Sequence, residues 1–174
     1  LVWRHPLADA AQKAAAPLGA AFTFVCLVTG SLWGKPMWGT WWVWDARLTS
    51  VLVLFLMYLG LIALWRSVDE PSKAGRAAAI LTLVGSINLP IIKFSVDWWN
   101  TLHQPASVFR ASGPTIHPTM LWPLLIMAIG MTLLFITLHL AATRNEVLRR
   151  RLRRRAILAA EAGDSRALLP QEAL

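Results

Sequence analysis

The chain has 174 residues, of which 56% are hydrophobic, and its mean hydropathy is +0.52. This apolar share exceeds that of ordinary soluble domains, so the chain has either one oversized core or several membrane-spanning segments. The formal net charge of +8 would suggest nucleic-acid binding in a soluble protein, but the basic residues cluster near the end of an apolar chain, which excludes that class. Because the sequence begins with leucine rather than methionine, we expect it to be part of a longer protein.

Four uncharged runs predict membrane-spanning helices, and they cover residues 14–33, 48–65, 77–92 and 120–143. A helix rises about 1.5 Å per residue, so about 20 residues cross roughly 30 Å of hydrocarbon. The third run is the shortest and contains Pro90, which removes a backbone hydrogen bond and should kink the helix. The predicted fold is therefore an all-α integral membrane protein, a helical bundle with four transmembrane helices between residues 14 and 143.

The distribution of lysine and arginine predicts the orientation of this bundle. Of the 17 basic residues, 13 lie on one side, and the other side has only Lys35, Arg47, Lys93 and Arg110. Basic residues accumulate on the cytoplasmic side. We therefore expect a cytoplasmic loop at 1–13, a basic cytoplasmic tail at 144–174, and segments 33–49 and 93–119 on the outer side of a bacterial cytoplasmic membrane.

The tail 144–174 is expected to continue the last helix. Leu148 and Leu152 repeat at helical spacing among arginines, a pattern that suits contact with an anionic lipid surface. The alternative is a topology anchor with a disordered end, and we favour the anchor.

The outward segment 33–49 reads WGKPMWGTWWVWDARLT and contains five tryptophans. An interfacial aromatic belt would populate both membrane surfaces. Eight of the ten tryptophans of the chain, however, fall on the predicted outer side. The imbalance favours a binding surface over a belt.

The spacing within this segment predicts an indole platform. Trp38, Trp41, Trp42 and Asp45 recur at i, i+3, i+4 and i+7, which would place them on one face of a helix along the membrane surface. With Trp44, such a platform suits a flat apolar ligand. The four cations of the outer side, Arg47 among them, are available to pair with carboxylates on that ligand. The spacing alone does not distinguish porphyrin from quinone or lipid.

The second outward segment supplies a candidate metal ligand. His103 follows Trp98 and Trp99 in the stretch DWWNTLHQP, and a neutral imidazole is a good iron ligand. A lone loop histidine is otherwise plain polar surface, so the hypothesis depends on the neighbouring tryptophans. His117 is a weaker candidate on the same side.

The run WGTWWVWDARLT at 38–49 resembles the tryptophan-rich WWD signature of haem-handling proteins. Its ending, Asp-Ala-Arg-Leu-Thr, resembles the CcmC branch of the bacterial cytochrome c maturation system, whereas the related synthetase branches usually continue Trp-Asp-Pro. The stretches NLPII at 88–92 and WWNTLHQ at 98–104 also resemble that branch. The resemblance covers about residues 16–104.

The resemblance implies six transmembrane helices, the last four of them in this chain, and haem b (iron protoporphyrin) held at the outer leaflet between the tryptophan segment and two histidines. His103 matches the second histidine. The first belongs to a stretch resembling His-Val-Pro that this sequence does not contain, and His5 does not take its role. We expect Asp45 and Arg47 to orient the haem rather than ligate it. The expected contacts are Trp38, Trp41, Trp42, Trp44, Asp45, Arg47, Trp98, Trp99 and His103, with His103 as the iron ligand.

The resemblance also implies partners and no chemistry by this subunit alone. Proteins of this kind present haem to the periplasmic haem chaperone CcmE and associate with the ABC-type ATPase CcmA, its membrane partner CcmB and the small subunit CcmD. The sequence has no phosphate-binding glycine loop, so we expect ATP hydrolysis in a partner.

Two other classes of membrane protein remain as alternatives. A small-molecule transporter subunit would need polar groups along a path through the membrane, and the predicted spans offer little beyond Asn88. A quinone-binding membrane enzyme would need redox ligands within the spans, where only His139 is available.

Overall fold

The computed structural model describes residues 5–99 and 101–167, and this part of the chain forms five helices. They are α1 (Pro6–Trp38), α2 (Ala46–Ser67), α3 (Pro71–Ser86), α4 (Asn88–Trp98) and α5 (Pro118–Ala167). Residues 1–4 of the predicted N-terminal loop, Asn100 and residues 168–174 of the tail lie outside the described residues.

Four helical stretches are long and apolar enough to cross a membrane: Leu7–Trp38, Ala46–Ser67, Pro71–Trp98 and Pro118–Ala162. Each contains one of the four predicted runs, so the prediction of an all-α membrane protein with four spans is confirmed.

The first span is longer than the sequence predicts, because residues 6–13, expected as loop, and 33–38, expected outside the span, are helical. The side chain of His5 accepts a hydrogen bond from the backbone N–H of Leu7, and a proline occupies the first turn, where its missing N–H costs nothing. The alanine-rich stretch that follows has a high helix propensity, which extends α1 toward its N-terminus.

The third span is divided into α3 and α4 at Ile87. Pro90 lies four residues after Ser86, so it cannot donate to the carbonyl of Ser86, and its ring crowds that carbonyl. Just before the proline, the N–H of Ile87 bonds to the carbonyl of Val84, three residues earlier, at 3.2 Å. This turn is tighter than that of an α-helix. The sequence predicts a kink from Pro90, and the structure instead interrupts the helix at Ile87, about one turn before the proline.

Helices α1 and α2 form the centre of the bundle. α1 packs against α2 and α5, and α2 also packs against α3 and α4. Small side chains line these contacts, which lets the helices approach closely. The buried apolar residues include Ala10, Ala16, Ala20, Ala74 and Ala78.

Helix α5 continues through most of the basic tail, as predicted, and has 50 residues. At 1.5 Å per residue it is about 75 Å long, more than twice the thickness of the hydrocarbon layer. Its large apolar side chains, such as Ile126 and Ile129, are exposed. The C-terminal part of α5 must therefore extend beyond the membrane, and the apolar part offers a surface to lipid or protein.

Candidate functional site

The segment between α1 and α2 is not a surface helix, so the predicted helical face of Trp38, Trp41, Trp42 and Asp45 is wrong. Helix α1 ends at Trp38 because Gly39 adopts a left-handed conformation (φ +76°), and its N–H bonds to the carbonyl of Lys35 at 3.0 Å. Helix α2 begins after Asp45, an extended residue whose Oδ1 accepts from the N–H of Leu48 at 2.7 Å. The two caps confine the tryptophan segment to a short loop.

This loop is folded back on the last turns of α1 by side-chain hydrogen bonds. Ser31 Oγ donates to the carbonyl of Trp41 at 2.7 Å, and Lys35 Nζ donates to the carbonyl of Gly39 at 3.0 Å. The ammonium of Lys35 also lies 5.8 Å from the ring centroid of Trp41, a cation–π contact. Gly34 is buried beneath the loop, where an added Cβ would lie 3.2 Å from Cε3 of Trp38. The loop backbone is therefore held close to α1.

Asp45 joins this loop to the second outward segment. Its carboxylate is buried, and Oδ2 lies 2.8 Å from Nδ1 of His103. The hydroxyl of Thr101 donates to the same oxygen, and the backbone N–H of His103 donates to Thr101 Oγ1 at 3.1 Å. The structure thus brings Asp45 and His103, both expected as site residues, into direct contact.

The hydrogen bonds determine the charge of Asp45. Burial acts to raise the pKa of this carboxyl, but hydrogen bonds from Thr101, the Leu48 N–H and His103 outweigh it and hold the pKa below its ordinary value of 3.8. An ionised carboxylate only accepts hydrogen bonds, so Nδ1 of His103 carries the proton that it donates to Asp45. In the neutral imidazole of this tautomer, Nε2 of His103 has the lone pair that can bind a metal.

One chain of aromatic rings adjoins His103. The ring of Trp38 lies 4.8 Å from the imidazole, centroid to centroid, at an interplanar angle of 67°. Trp33 also packs against Trp38, with ring centroids 5.1 Å apart and an interplanar angle of 84°. These edge-to-face contacts fix the imidazole plane against α1.

The other predicted tryptophans belong to separate groups of rings. Trp42 and Trp44 pack edge to face with centroids 5.6 Å apart, and Trp44 is 76% exposed. Trp98 stacks on Phe94 of α4 at 5.4 Å, and Trp99 ends α4 with its N–H bonded to the carbonyl of Ser95. Trp41, Trp98 and Trp99 are also exposed. In place of the helical platform predicted from spacing, the tryptophan segment has two edge-to-face pairs, Trp33 with Trp38 and Trp42 with Trp44.

Two buried donors in the same segment have no hydrogen-bond partner among the residues that the structure describes. They are Nε1 of Trp42 and Nε of Arg47, which lies in the first turn of α2. Because buried polar atoms are nearly always paired in folded proteins, these two atoms are suited to an acceptor on a ligand.

Sequence reasoning missed Thr101 and Trp33 as members of the site. Thr101 precedes His103 by two residues, the spacing at which a threonine hydroxyl bonds to a backbone N–H, and that local signal was available. The sequence places Trp33 on the outer side, but it does not predict that α1 extends to Trp38. This extension puts Trp33 and Trp38 on the same helix, where their rings are in contact. Asn88, considered for a transport path, instead donates to the carbonyl of Ser50 at 2.8 Å and joins α4 to α2.

The remaining histidines have other surroundings. His117 precedes α5, and its Nδ1 lies 2.8 Å from Oγ1 of Thr119. His139 stacks on Phe135 with centroids 5.7 Å apart, within α5. Within residues 5–99 and 101–167, no three His, Cys, Asp or Glu side chains converge as a metal cluster.

The comparisons with known proteins agree on one family. The family described as "CcmC: Heme exporter protein C" matches residues 1–158. The chain is 77% identical over 153 residues to "Heme exporter protein C" of Bradyrhizobium diazoefficiens, covering 88% of this chain and 58% of that protein. It is 57% identical over 148 residues to the protein of that name from Escherichia coli K12, covering 85% and 59%.

A more distant relative comes from a plant. The "Putative cytochrome c biosynthesis ccmC-like mitochondrial protein" of Marchantia polymorpha is 53% identical over 124 residues, which cover 71% of this chain and 51% of that protein. The chain spans a little under three fifths of the length of the first two relatives. Because the family match extends from residue 1 into α5, the chain belongs to the CcmC family.

Proposed function

We propose that this chain binds haem at the outer face of a bacterial cytoplasmic membrane and presents it for cytochrome c assembly. The observation that carries the proposal is the 2.8 Å contact between Asp45 Oδ2 and His103 Nδ1, which leaves Nε2 of His103 for iron. Family membership supports haem as the cargo, since the relatives are named haem exporters.

The contacts of His103 suit an iron ligand that must be firmly oriented. A carboxylate bonded to the second ring nitrogen fixes the tautomer and makes the imidazole a stronger donor. Thr101 holds the same carboxylate oxygen, and Trp38 restricts rotation of the ring. A second histidine would be the other iron ligand, as the resemblance to the CcmC family implies.

The residues of the tryptophan segment fit the rest of the haem b molecule. The macrocycle is flat and apolar, and exposed rings such as Trp41, Trp44 and Trp99 offer it contact area. Its two propionates need cations and N–H donors, and the partnerless atoms of Arg47 and Trp42 are of that kind. Iron, a macrocycle and two carboxylates thus each have a matching group in the two outward segments of the chain.

The site lies between two segments attached to different helices, which allows cargo release. Asp45 belongs to the loop between α1 and α2, and His103 belongs to the segment between α4 and α5. Displacing either segment weakens the iron bond without unfolding the bundle.

The receiver is the periplasmic chaperone CcmE. CcmA, CcmB and CcmD complete the ABC-type complex, with ATP hydrolysis in CcmA.

The Soret absorbance of the full-length protein, purified with its membrane partners, tests this function. His103→Ala should lose haem or shift the Soret band, and added imidazole should partly restore it. His117→Ala is the matched control, because this histidine lies in the same outward segment and contacts Thr119 rather than Asp45. An unchanged spectrum in His103→Ala with a changed one in His117→Ala would move the iron site to His117.

A further inference from the structure

A cleft opens between α2 and α5 at the end of the bundle opposite the tryptophan segment. Its floor is α1 at Lys13, and its walls are the end of α2 at Trp65 and Arg66 and the part of α5 around Glu146. Lys13 and Lys35 are about 33 Å apart along α1, at 1.5 Å per residue. The cleft therefore lies about one hydrocarbon thickness from the haem site, at the other membrane interface.

The cleft has two adjacent chambers of about 360 and 620 Å³. Both are lined by Lys13, Trp65, Arg66 and Glu146, so they lie side by side. The smaller chamber extends along the apolar part of the helices. Its apolar lining residues are Ala14, Pro17, Leu18, Ile62, Trp65 and Ala142. This groove is suited to a hydrocarbon chain.

The polar lining of the cleft carries a large excess of positive charge. Six cations, namely Lys13, Arg66, Arg149, Arg150, Arg153 and Arg154, face only two carboxylates, Asp69 and Glu146. Glu146 is already engaged, since its Oε1 lies 2.9 Å from both Lys13 Nζ and Arg150 Nε. The other four arginines have no ion-pair partner within the described residues. Several cations around one partly enclosed space favour an anion between them.

We propose that this cleft binds an anionic phospholipid, with its phosphate among the arginines and an acyl chain in the apolar groove. The planar guanidinium groups suit phosphate oxygens, and basic pockets between membrane helices are general sites for anionic headgroups. A zwitterionic lipid would bring its own cation into an already positive chamber. The bound lipid would contact α1, α2 and α5 together, and so would stabilise α5, which otherwise packs mainly on α1.

Native mass spectrometry of the full-length protein in mild detergent tests this site. Phosphatidylglycerol should remain bound, and phosphatidylcholine should not. The variant Arg66→Gln/Arg149→Gln/Arg153→Gln should bind phosphatidylglycerol on the order of a hundredfold more weakly, since each arginine near an anionic lipid surface contributes about fivefold. The matched control Lys73→Gln/Arg76→Gln/Arg155→Gln removes the same charge from residues that do not line the two chambers.

A second variant separates the lipid from free phosphate. Ala142→Trp fills the apolar groove while keeping every charge, and it should also reduce lipid retention. Inorganic phosphate at millimolar concentration should not displace the lipid. Equal lipid loss in the two triple variants would make the binding a diffuse surface effect. Displacement by phosphate alone, or a protein segment cross-linked into the cleft, would also overturn the proposal.

Discussion

Asp45 Oδ2 and His103 Nδ1 lie 2.8 Å apart although 58 positions separate the two residues in the sequence. The contact connects the cap of α2 with the segment that follows α4. The same carboxylate accepts from the Leu48 N–H through Oδ1 and from the Thr101 hydroxyl through Oδ2. One side chain therefore starts a membrane helix and orients the candidate iron ligand.

Asp45→Asn should weaken haem transfer to the chaperone while leaving much of the bound haem. The amide keeps the shape but has one acceptor oxygen, so it cannot accept from both the Leu48 N–H and His103 Nδ1–H, and such outer-shell changes cost about tenfold to a hundredfold in metal affinity or activity. Chaperone loading and Soret absorbance, measured on the same preparation, check this prediction. Complete loss of bound haem would make the carboxylate a direct ligand.

The pH dependence of this contact has a definite sign. The folded pKa of Asp45 is depressed, so its stabilising contribution is present above the ordinary value of 3.8 and is lost as the pH falls through the lowered pKa. The difference in the free energy of unfolding between wild type and Asp45→Asn should consequently be the same at about pH 6 and about pH 8. A difference that disappears between these values would show that Asp45 is not ionised throughout.

Thr101→Val should loosen His103, and Thr101→Ser should not. Valine keeps the volume but removes the hydroxyl that bonds Asp45 and the His103 backbone, a loss of about 1 to 3 kcal/mol for buried partners. We expect the valine variant to show a broadened or shifted Soret band and faster haem loss to apomyoglobin. Serine restores the hydroxyl and is the matched control. Identical spectra in both variants would make Thr101 a bystander.

Trp38→Leu and Trp44→Leu should have different effects, although the sequence pattern treats the two residues alike. Trp38 touches the His103 ring, whereas Trp44 packs on Trp42 and is mostly exposed. The Trp38 variant should shift the Soret spectrum, and the Trp44 variant should mainly reduce haem retention.

Replacing Trp38, Trp41, Trp42 and Trp44 together by leucine should abolish chaperone loading, while the protein still inserts normally into the membrane. Normal loading in that variant would reduce the segment to an interfacial belt.

The spans could be predicted from the sequence because apolar length and charge are local properties of the chain. Pro90 likewise predicted a distortion of the third span, since its effect reaches only the preceding turn, but the division into α3 and α4 was not predicted. The prediction of a helix across residues 38–45 was wrong because Gly39 ends α1 and Asp45 begins α2. These two capping signals decide the backbone conformation more strongly than the spacing of the tryptophans does. The pairing of Asp45 with His103 needed the packing of α2 against α4, which no local pattern contains.

Gly19→Ala should destabilise the bundle even though alanine favours helices. An added Cβ would lie 2.4 Å from two ring carbons of Tyr58, so the ring must move, and overpacking of this kind costs about 1 to 3 kcal/mol. Thermal unfolding in detergent should show a lower Tm for Gly19→Ala. Gly30→Ala is the matched control on the same helix, where the added methyl meets nothing within 4 Å. Equal Tm values for the two variants would contradict the close α1–α2 contact.

The tryptophan segment should be accessible from outside the cell, a topology that follows from the asymmetric distribution of basic residues. Cys26 is free and exposed, so it is first replaced by serine to give a cysteine-free background. Cysteine at Thr40 should then react with a membrane-impermeant thiol reagent in intact spheroplasts. Cysteine at Ser72, in the first turn of α3 at the other end of the bundle, should react only after lysis. The reverse labelling pattern would invert the topology and would place the lipid cleft, rather than the haem site, on the outer face.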